Sequence, residues 1–239
     1  ADIDYQGVPD AHMPIGTSAK KYFGHFDGQG HRIKGMVLTT ASRLDNRGYD
    51  GNGFFGSVRG GGTSVDNIYT NEVIIENLII DSSCSVTGPS GIGGIVGTSD
   101  DGAGELLTIY YCCNEGSISG GGAVGGVIGW DGDSYIDIAN CYNRGAVSGE
   151  MNVGGLVGNC YAYGNCAYVN CYNAGAVSGA ENAHPFIGRI DNEDHQPDTV
   201  NCYYLDACCE TGDEYAEALT DEQLRLEESC EGFDFESVC

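Results

Sequence analysis

Residues Asn140-Cys-Tyr-Asn-Arg-Gly-Ala-Val-Ser-Gly149 form a motif that the chain repeats almost unchanged. The same ten residues, with a single change, occupy positions 170–179, and a close variant occupies positions 111–120. The cysteine at the second position recurs after 29 and then 30 residues, and a worn copy begins at Asn201. Self-similarity at a fixed period of this size predicts a solenoid, whose units bury their apolar faces only by stacking on one another.

A second repeated element separates these motifs. Its copies are Ile92-Gly-Gly-Ile-Val-Gly97, Val124-Gly-Gly-Val-Ile-Gly129, Val153-Gly-Gly-Leu-Val-Gly158 and the worn Ala183-His-Pro-Phe-Ile-Gly188. Short β-branched runs bounded by Gly and Asn are typical of strands. Three short strands in roughly 30 residues predict an all-β protein, a single parallel β-helix (β-solenoid) of about six or seven turns.

The repeat also places Asn114, Asn143 and Asn173 at one equivalent position. Side-chain amides stacked at the corner of a solenoid can bond to each other along its axis and tolerate left-handed backbone. This spacing therefore favours an asparagine ladder, although Asn is also an ordinary turn residue.

The N-terminal segment Phe26-Asp-Gly-Gln-Gly-His-Arg-Ile33, followed by the two repeated elements, resembles the GLUG-repeat proteins over roughly residues 22–204. These are bacterial secreted or surface proteins, which include adhesin-like chains and regions of IgA-specific metallopeptidases. The resemblance implies a right-handed parallel β-helix of the pectin-lyase-like shape. It implies no activity, because the repeat is a scaffold.

The chain divides into a repetitive part and a different C-terminal segment. We expect residues 1–205 to form the β-helix, with residues 1–21 as an N-terminal cap or arm, and residues 206–239 to form a short, partly helical acidic C-terminal cap. That last segment holds 12 Asp or Glu against the single Arg225, and Thr220 and Gln223 have the spacing of a helix capping box. A cap of different character covers the strand edges that an open solenoid end exposes.

Charge limits the partners of the chain. The net charge of −25 and pI near 4.1 argue against nucleic acid, which needs clustered Lys and Arg, and no apolar run is long enough for a membrane span. Seven of the ten basic residues but only six of the 35 acidic ones lie in residues 1–60. In a solenoid this makes one end near neutral and the other acidic, which favours end-to-end self-association or serves only solubility.

Twelve cysteines without a Cys-x-x-Cys pair favour disulfides in an oxidising compartment. Cys160 and Cys166 are the strongest candidates, since they frame a five-residue loop, and metal binding by these two alone is disfavoured. Equivalent residues of adjacent turns lie about 4.8 Å apart, which a disulfide accepts, but an unbonded column of thiols fits equally well. The candidates for bridges between turns are Cys112 with Cys141, and Cys171 with Cys202.

Two kinds of surface residue are candidates for binding. The acidic turns at 100–105 and 131–133 offer oxygen ligands for calcium but lack the EF-hand pattern, so a solvated corner is the simpler reading. Tyr161 and Tyr163, in the predicted loop, could stack on sugar rings or meet a protein. The calcium candidates are Asp100, Asp101, Asp131 and Asp133.

The sequence offers no catalytic constellation. No His-Glu-x-x-His motif is present, no facing carboxylate pair recurs in the repeats, and only three basic residues follow position 60. We therefore predict a non-enzymatic bacterial protein that is extracellular or on the cell surface and has no cofactor. It would be a structural or adhesive module whose rigid surface binds glycans, host or surface proteins, or further copies of the same chain. The alternatives are a subunit of a head-to-tail filament and, in the enzyme class, a polysaccharide lyase or hydrolase.

Overall fold

The structure, a computed structural model, is a parallel β-solenoid. It describes residues 1–39, 51–59, 73–100, 106–132, 135–161, 166–192, 194, 196–226 and 229–230. The strands in chain order are β1 (Ile3–Asp4), β2 (His25–Asp27), β3 (Arg32–Lys34), β4 (Val37–Leu38), β5 (Phe55–Val58), β6 (Val73–Glu76), β7 (Ile79–Ile80), β8 (Ser85–Gly93), β9 (Val96–Asp100), β10 (Leu106–Tyr110), β11 (Cys113–Asn114), β12 (Ser117–Gly125), β13 (Ile128–Gly132), β14 (Tyr135–Ala139), β15 (Tyr142–Asn143), β16 (Val147–Gly154), β17 (Val157–Cys160), β18 (Cys166–Asn173), β19 (Val177–His184), β20 (Ile187–Ile190), β21 (Asp198–Leu205) and β22 (Glu217–Leu219). A single short helix, α1 (Asp221–Leu224), follows them in the described part of the chain.

Three parallel sheets run along the axis, which confirms three strand regions per turn. Sheet B has the order β19-β16-β12-β8-β4 and sheet C the order β20-β17-β13-β9-β5. Each holds five strands, so the described residues form five complete turns. Within the described residues the solenoid is therefore shorter than the six or seven turns expected from the sequence.

Sheet A bends once in each turn, so most of its strands form two parallel rows. One row runs β1-β3-β7-β11-β15 and the other β2-β6-β10-β14, while the longer β18 belongs to both. The bend falls on residues in the left-handed backbone region, among them Asn77, Asn140 and Asn170 (φ 56°, 53° and 51°). Among residues with a side chain, Asn is one of the few that adopt this region readily, which explains why the ten-residue motif opens with it.

The inner asparagine ladder, formed by Asn114, Asn143 and Asn173, confirms the predicted stacking. Asn114 Nδ2 donates to Asn143 Oδ1, and Asn143 Nδ2 donates to Asn173 Oδ1, each at 2.8 Å, and all three side chains are fully buried. The Gly-Gly pairs of the second repeated element face this ladder. A Cβ atom on Gly126 would lie 2.3 Å from Asn143 Cγ, so the two repeated motifs depend on each other.

The repeat cysteines form an unbonded column rather than disulfides. Every cysteine described is a free thiol, so the bridges predicted for Cys112 with Cys141, and for Cys171 with Cys202, are not confirmed. Instead Cys141 Sγ donates to the carbonyl of Ala139, the last residue of β14, at 3.3 Å and to the carbonyl of Ile109 in the preceding turn at 3.4 Å. In-register parallel strands point equivalent Cβ atoms the same way, whereas a disulfide needs them turned toward each other.

The two ends of the solenoid are covered differently. At the N-terminal end, Pro9, Ile15 and Tyr22 each form a parallel bridge, with Val37, Phe55 and Val58 respectively. At the C-terminal end only sheet A continues, through β21 and β22.

Helix α1 begins directly after Thr220, the N-cap residue of the predicted capping box. Thr220 Oγ1 accepts from the N–H of Gln223, and the Gln223 side chain accepts from the N–H of Thr220. No helix in the described ranges is long and apolar enough to cross a membrane.

Candidate functional site

A column of four side chains on sheet C follows directly from the repeat. Thr98, Trp130, Asn159 and Arg189 are each the residue after one copy of the second repeated element, and strand pairing places them side by side. Successive members lie one strand spacing apart, about 4.8 Å. Each turn therefore contributes one polar or aromatic side chain to a row that runs parallel to the solenoid axis.

A second column forms the opposite wall. Gly91, Ala123, Asn152 and Asn182 are all in the left-handed backbone region, with φ between 49° and 66°, where the long strands of sheet B turn toward sheet C. Asn182 Nδ2 donates to Asn152 Oδ1 at 2.9 Å, so amides stack here as well. We call the space between the two columns the axial groove.

Two cavities occupy successive stretches of the axial groove. The first, of about 240 Å³, lies between Trp130, Asn159 and Asn152. The second, of about 730 Å³, begins at Asn182 and Arg189 and extends under the loop that contains Asp213 to Tyr215. Because Asn152 bonds to Asn182 and Asn159 pairs with Arg189, the second cavity continues the first along the axis.

One side chain in the wall of the first cavity has a buried polar atom without a partner among the described residues. Asn159 Nδ2 donates to Asp191 Oδ2 at 2.8 Å, but Asn159 Oδ1 is buried and accepts no hydrogen bond from any residue the structure describes. A buried acceptor left unpaired costs about 1–3 kcal/mol, so a donor from water or a ligand is expected there. Trp130, the only tryptophan of the chain, lies next to it and provides an apolar ring.

The second cavity is polar and carries both signs of charge. Asp213 accepts hydrogen bonds from the N–H groups of Phe186, Ile187 and Tyr215, which fix the loop above strand β20. Burial nevertheless raises the pKa of Asp213, and burial together with neighbouring Glu214 raises the pKa of Tyr215 to about 12. The hydroxyl of Tyr215 therefore remains a hydrogen-bond donor at neutral pH.

A cluster of three metal-ligating side chains lies on the inner side of sheet C. Asp131 and Cys160 directly follow Trp130 and Asn159, so they point inward where those residues point to the groove. Cys166, at the start of β18, joins them, and all three are buried. Tyr168 is fully buried beside them, with its hydroxyl 3.5 Å from Cys160 Sγ. We call Asp131, Cys160 and Cys166 the thiol–carboxylate cluster.

The structure separates the other predicted site residues. Cys160 and Cys166 are brought together as predicted, but as free thiols with their sulfurs 3.5 Å apart, so the disulfide is not confirmed. Asp131 is inside the solenoid and not in a solvated turn, with two thiols beside it, a set that suits a soft cation better than calcium. Tyr161, the first residue of the predicted loop and the last one described before residue 166, is half-buried. Asp101, Asp133, Tyr163 and the side chain of Asp100 lie outside the described residues.

Sequence reasoning missed the axial groove although the signal was present. The residue after each copy of the second element varies from Thr98 to Trp130, Asn159 and Arg189, while the element itself hardly changes. Side chains alternate between the two faces of a strand, so the residues at this position share one face of sheet C. The contribution of the C-terminal loop could not be found this way, because that loop lies outside the repeat.

No family model matches the chain, and no curated protein matches it. Among solved structures, the chain is similar to a protein from Bacteroides ovatus described as a putative immunoglobulin A1 protease, with a TM-score of 0.63 and 26% sequence identity. The match covers 90% of this chain and 62% of that one. The chain therefore spans less than two thirds of the length of the protein that it resembles.

Proposed function

We propose that this chain is a non-catalytic binding module of an extracellular or cell-surface bacterial protein of the GLUG-repeat type, and that it holds an extended glycan in the axial groove. The observation that carries this proposal is the regular column of Trp130, Asn159 and Arg189 facing a second column of amides. A polymer with a short repeat can meet one such side chain in each turn of the solenoid.

The chemistry of the groove suits a sugar. An indole ring offers an apolar face for a pyranose ring, while the unpaired Asn159 Oδ1 accepts from a hydroxyl group. Arg189 lines the second cavity, has half of its side-chain surface exposed and pairs through Nε with Asp191 at 2.6 Å, so its guanidinium has further N–H groups to donate to a ligand. The mixture of one apolar ring with several amides is typical of a site that selects orientation through a few placed polar groups.

An enzymatic function is the second candidate, and it is favoured by the description of the Bacteroides protein as a putative immunoglobulin A1 protease. A polysaccharide lyase or hydrolase is the other possibility in this class. Both need an acid and a base facing one substrate bond. In the second cavity, His184 and Asp213 are the groups nearest to such a pair, but His184 bonds to the carbonyl of Gly212 and Asp213 is occupied by three backbone N–H groups.

A filament subunit is the third candidate. Within the described residues, sheets B and C end at strands β19 and β20, whose outer edges have no neighbouring strand. The acidic C-terminal half and the near-neutral N-terminal end are of unequal charge, which favours end-to-end contact. Negative-stain electron microscopy tests this candidate: filaments with an axial repeat of one solenoid length support it, and short discrete rods exclude it.

Binding and catalysis are distinguished by one experiment on the purified chain. It is applied to an array of neutral, acidic and mucin-type glycans together with immunoglobulin A1, and each bound ligand is then incubated with the chain and analysed by mass spectrometry. We expect glycan binding without product. Product from a glycan or from immunoglobulin A1 would replace the binding proposal by the enzymatic one, and no binding at all would refute the proposal.

A further inference from the structure

The thiol–carboxylate cluster has the dimensions of a metal site. The two sulfurs of Cys160 and Cys166 are 3.5 Å apart, and Asp131 Oδ2 lies 3.7 Å from the first and 3.3 Å from the second. Zinc binds thiolate sulfur at about 2.3 Å and carboxylate oxygen at about 2.0–2.2 Å in a tetrahedron, so its ligands are separated by about 3.8 Å for two sulfurs and about 3.5 Å for sulfur and oxygen. The three observed separations are within about 0.3 Å of one face of that tetrahedron.

The surroundings hold these donors in place. Ser99 Oγ donates to Asp131 Oδ1 at 2.9 Å, which orients the carboxylate and leaves Oδ2 directed at the two sulfurs. Hydrogen bonds of this kind to a ligating carboxylate are a regular feature of metal centres. The Tyr168 hydroxyl lies 3.5 Å from Cys160 Sγ, to which it donates a hydrogen bond.

We propose that Asp131, Cys160 and Cys166 bind a thiophilic divalent cation of the zinc class, with the Tyr168 hydroxyl or a water molecule as fourth ligand. Two thiol protons leave to solvent when the cation binds, so two thiolates and one carboxylate face a charge of +2. The cation supplies the opposite charge that makes two buried thiolates tolerable.

The position of the site gives it a structural role that is independent of the proposed glycan binding. Asp131 on β13 pairs with Cys160 on β17, one turn further along the axis, and Cys166 begins β18, the strand that follows β17 directly. A bound cation therefore links adjacent turns, directly behind Trp130 and Asn159 of the axial groove. It also closes the loop between Cys160 and Cys166, for which the sequence analysis predicts a disulfide.

Cobalt titration tests the site in the full chain. The protein, reduced with a phosphine and freed of metal, is titrated with Co²⁺ under anaerobic conditions. We expect one Co²⁺ per chain, with the near-ultraviolet sulfur-to-cobalt charge-transfer band and the visible bands of a tetrahedral ion, both removed by stoichiometric Zn²⁺. Cys166→Ser and Asp131→Asn should abolish this spectrum, whereas Cys209→Ser, which removes a half-buried thiol outside the cluster, should leave it unchanged.

Two further results are considered: a Cys166→Ser variant that fails to fold, and a purified chain in which Cys160 and Cys166 are oxidised to a disulfide. If Cys166→Ser does not fold, Ser99→Ala takes its place, and we expect the affinity for Zn²⁺ to fall at least tenfold. Absence of the cobalt spectrum, or its persistence in Asp131→Asn, would overturn the proposal. A purified chain lighter by two hydrogen atoms, with its Cys160 and Cys166 peptides cross-linked and with no cation taken up after reduction, would also overturn it and establish the disulfide.

Discussion

Replacing Asn143 by Ala removes the centre of the inner asparagine ladder. The side chain makes three hydrogen bonds: Nδ2 donates to Asn173 Oδ1 at 2.8 Å and to the carbonyl of Gly145 at 2.9 Å, and Oδ1 accepts from Asn114 Nδ2 at 2.8 Å. Each such bond contributes about 1 kcal/mol net, and a buried partner left unpaired adds a desolvation penalty. We expect Asn143→Ala to lower the free energy of unfolding by about 3–5 kcal/mol.

Asn170→Gly is the matched control. Asn170 belongs to the outer asparagine ladder, with Asn140 and Asn201, in which its Nδ2 donates to Asn140 Oδ1 at 3.1 Å and its Oδ1 accepts from Asn201 at 3.1 Å. These groups are only partly buried, and Gly accepts the left-handed φ of 51° without strain, so we expect a loss of about 1 kcal/mol or less.

Urea unfolding followed by circular dichroism measures both variants, and hydrogen exchange localises the change, since a solenoid need not unfold in a single step. A loss below about 1 kcal/mol in Asn143→Ala, or an equal loss in Asn170→Gly, would refute the assignment of the ladder as a principal source of stability.

Three other predictions concern the glycine corner, an N-terminal histidine and the buried thiols. Gly126→Ala places a Cβ 2.3 Å from a backbone carbonyl and should lower the free energy of unfolding by about 3 kcal/mol in urea titrations. At Gly212 a Cβ would make an ordinary contact with the Tyr204 hydroxyl at 3.6 Å, so Gly212→Ala should change the free energy of unfolding by about 0.5 kcal/mol or less. Burial lowers the pKa of His12 below its ordinary value of 6.5, so on acidification the unfolded chain binds a proton at His12 before the folded protein does. The melting temperature should therefore fall as pH drops below about 6.5, and this decrease should be smaller in His12→Gln. An identical dependence of the melting temperature on pH in both proteins would contradict the prediction. Burial raises the pKa of Cys141 well above its usual range, so its thiol should not react in the native protein. Pulsed alkylation followed by peptide mass spectrometry should modify half-buried Cys209 and spare Cys141 until urea is added. Equal modification of both cysteines would contradict the burial of the repeat cysteines in a column of free thiols.

The repetitive part of the fold was predictable because the same contacts between neighbouring turns recur at the repeat period. Asn143 recurs at its position because its amide bonds to the equivalent amides on both sides, and Gly126 recurs because the ladder leaves no room for a Cβ. The capping box of Thr220 and Gln223 was predictable for a different reason, since it is formed by residues close in sequence. Spacing alone therefore predicted the strands, the stacking and the short helix.

The thiol–carboxylate cluster was not predictable, because it depends on how adjacent turns stack. From the sequence, Asp131 is part of an acidic, solvated turn. In the structure it lies in strand β13, where side chains alternate, so Trp130 points outward and Asp131 points into the solenoid. The disulfide prediction for the column containing Cys141 had a related weakness. The separation of adjacent turns was right, but the direction of the side chains decides whether two thiols can bond.

Hydrogen–deuterium exchange of the chain, alone and with the glycan selected on the array, tests the central claim most directly. The axial groove should gain protection upon binding in strands β13, β17 and β20 and in the loop from Asp213 to Tyr215, and Trp130→Ala should abolish that protection and weaken binding at least tenfold. Phe23→Ala, which removes an exposed ring elsewhere, should change neither result. Protection confined to sheet A, or full binding by Trp130→Ala, would contradict the groove as the ligand site.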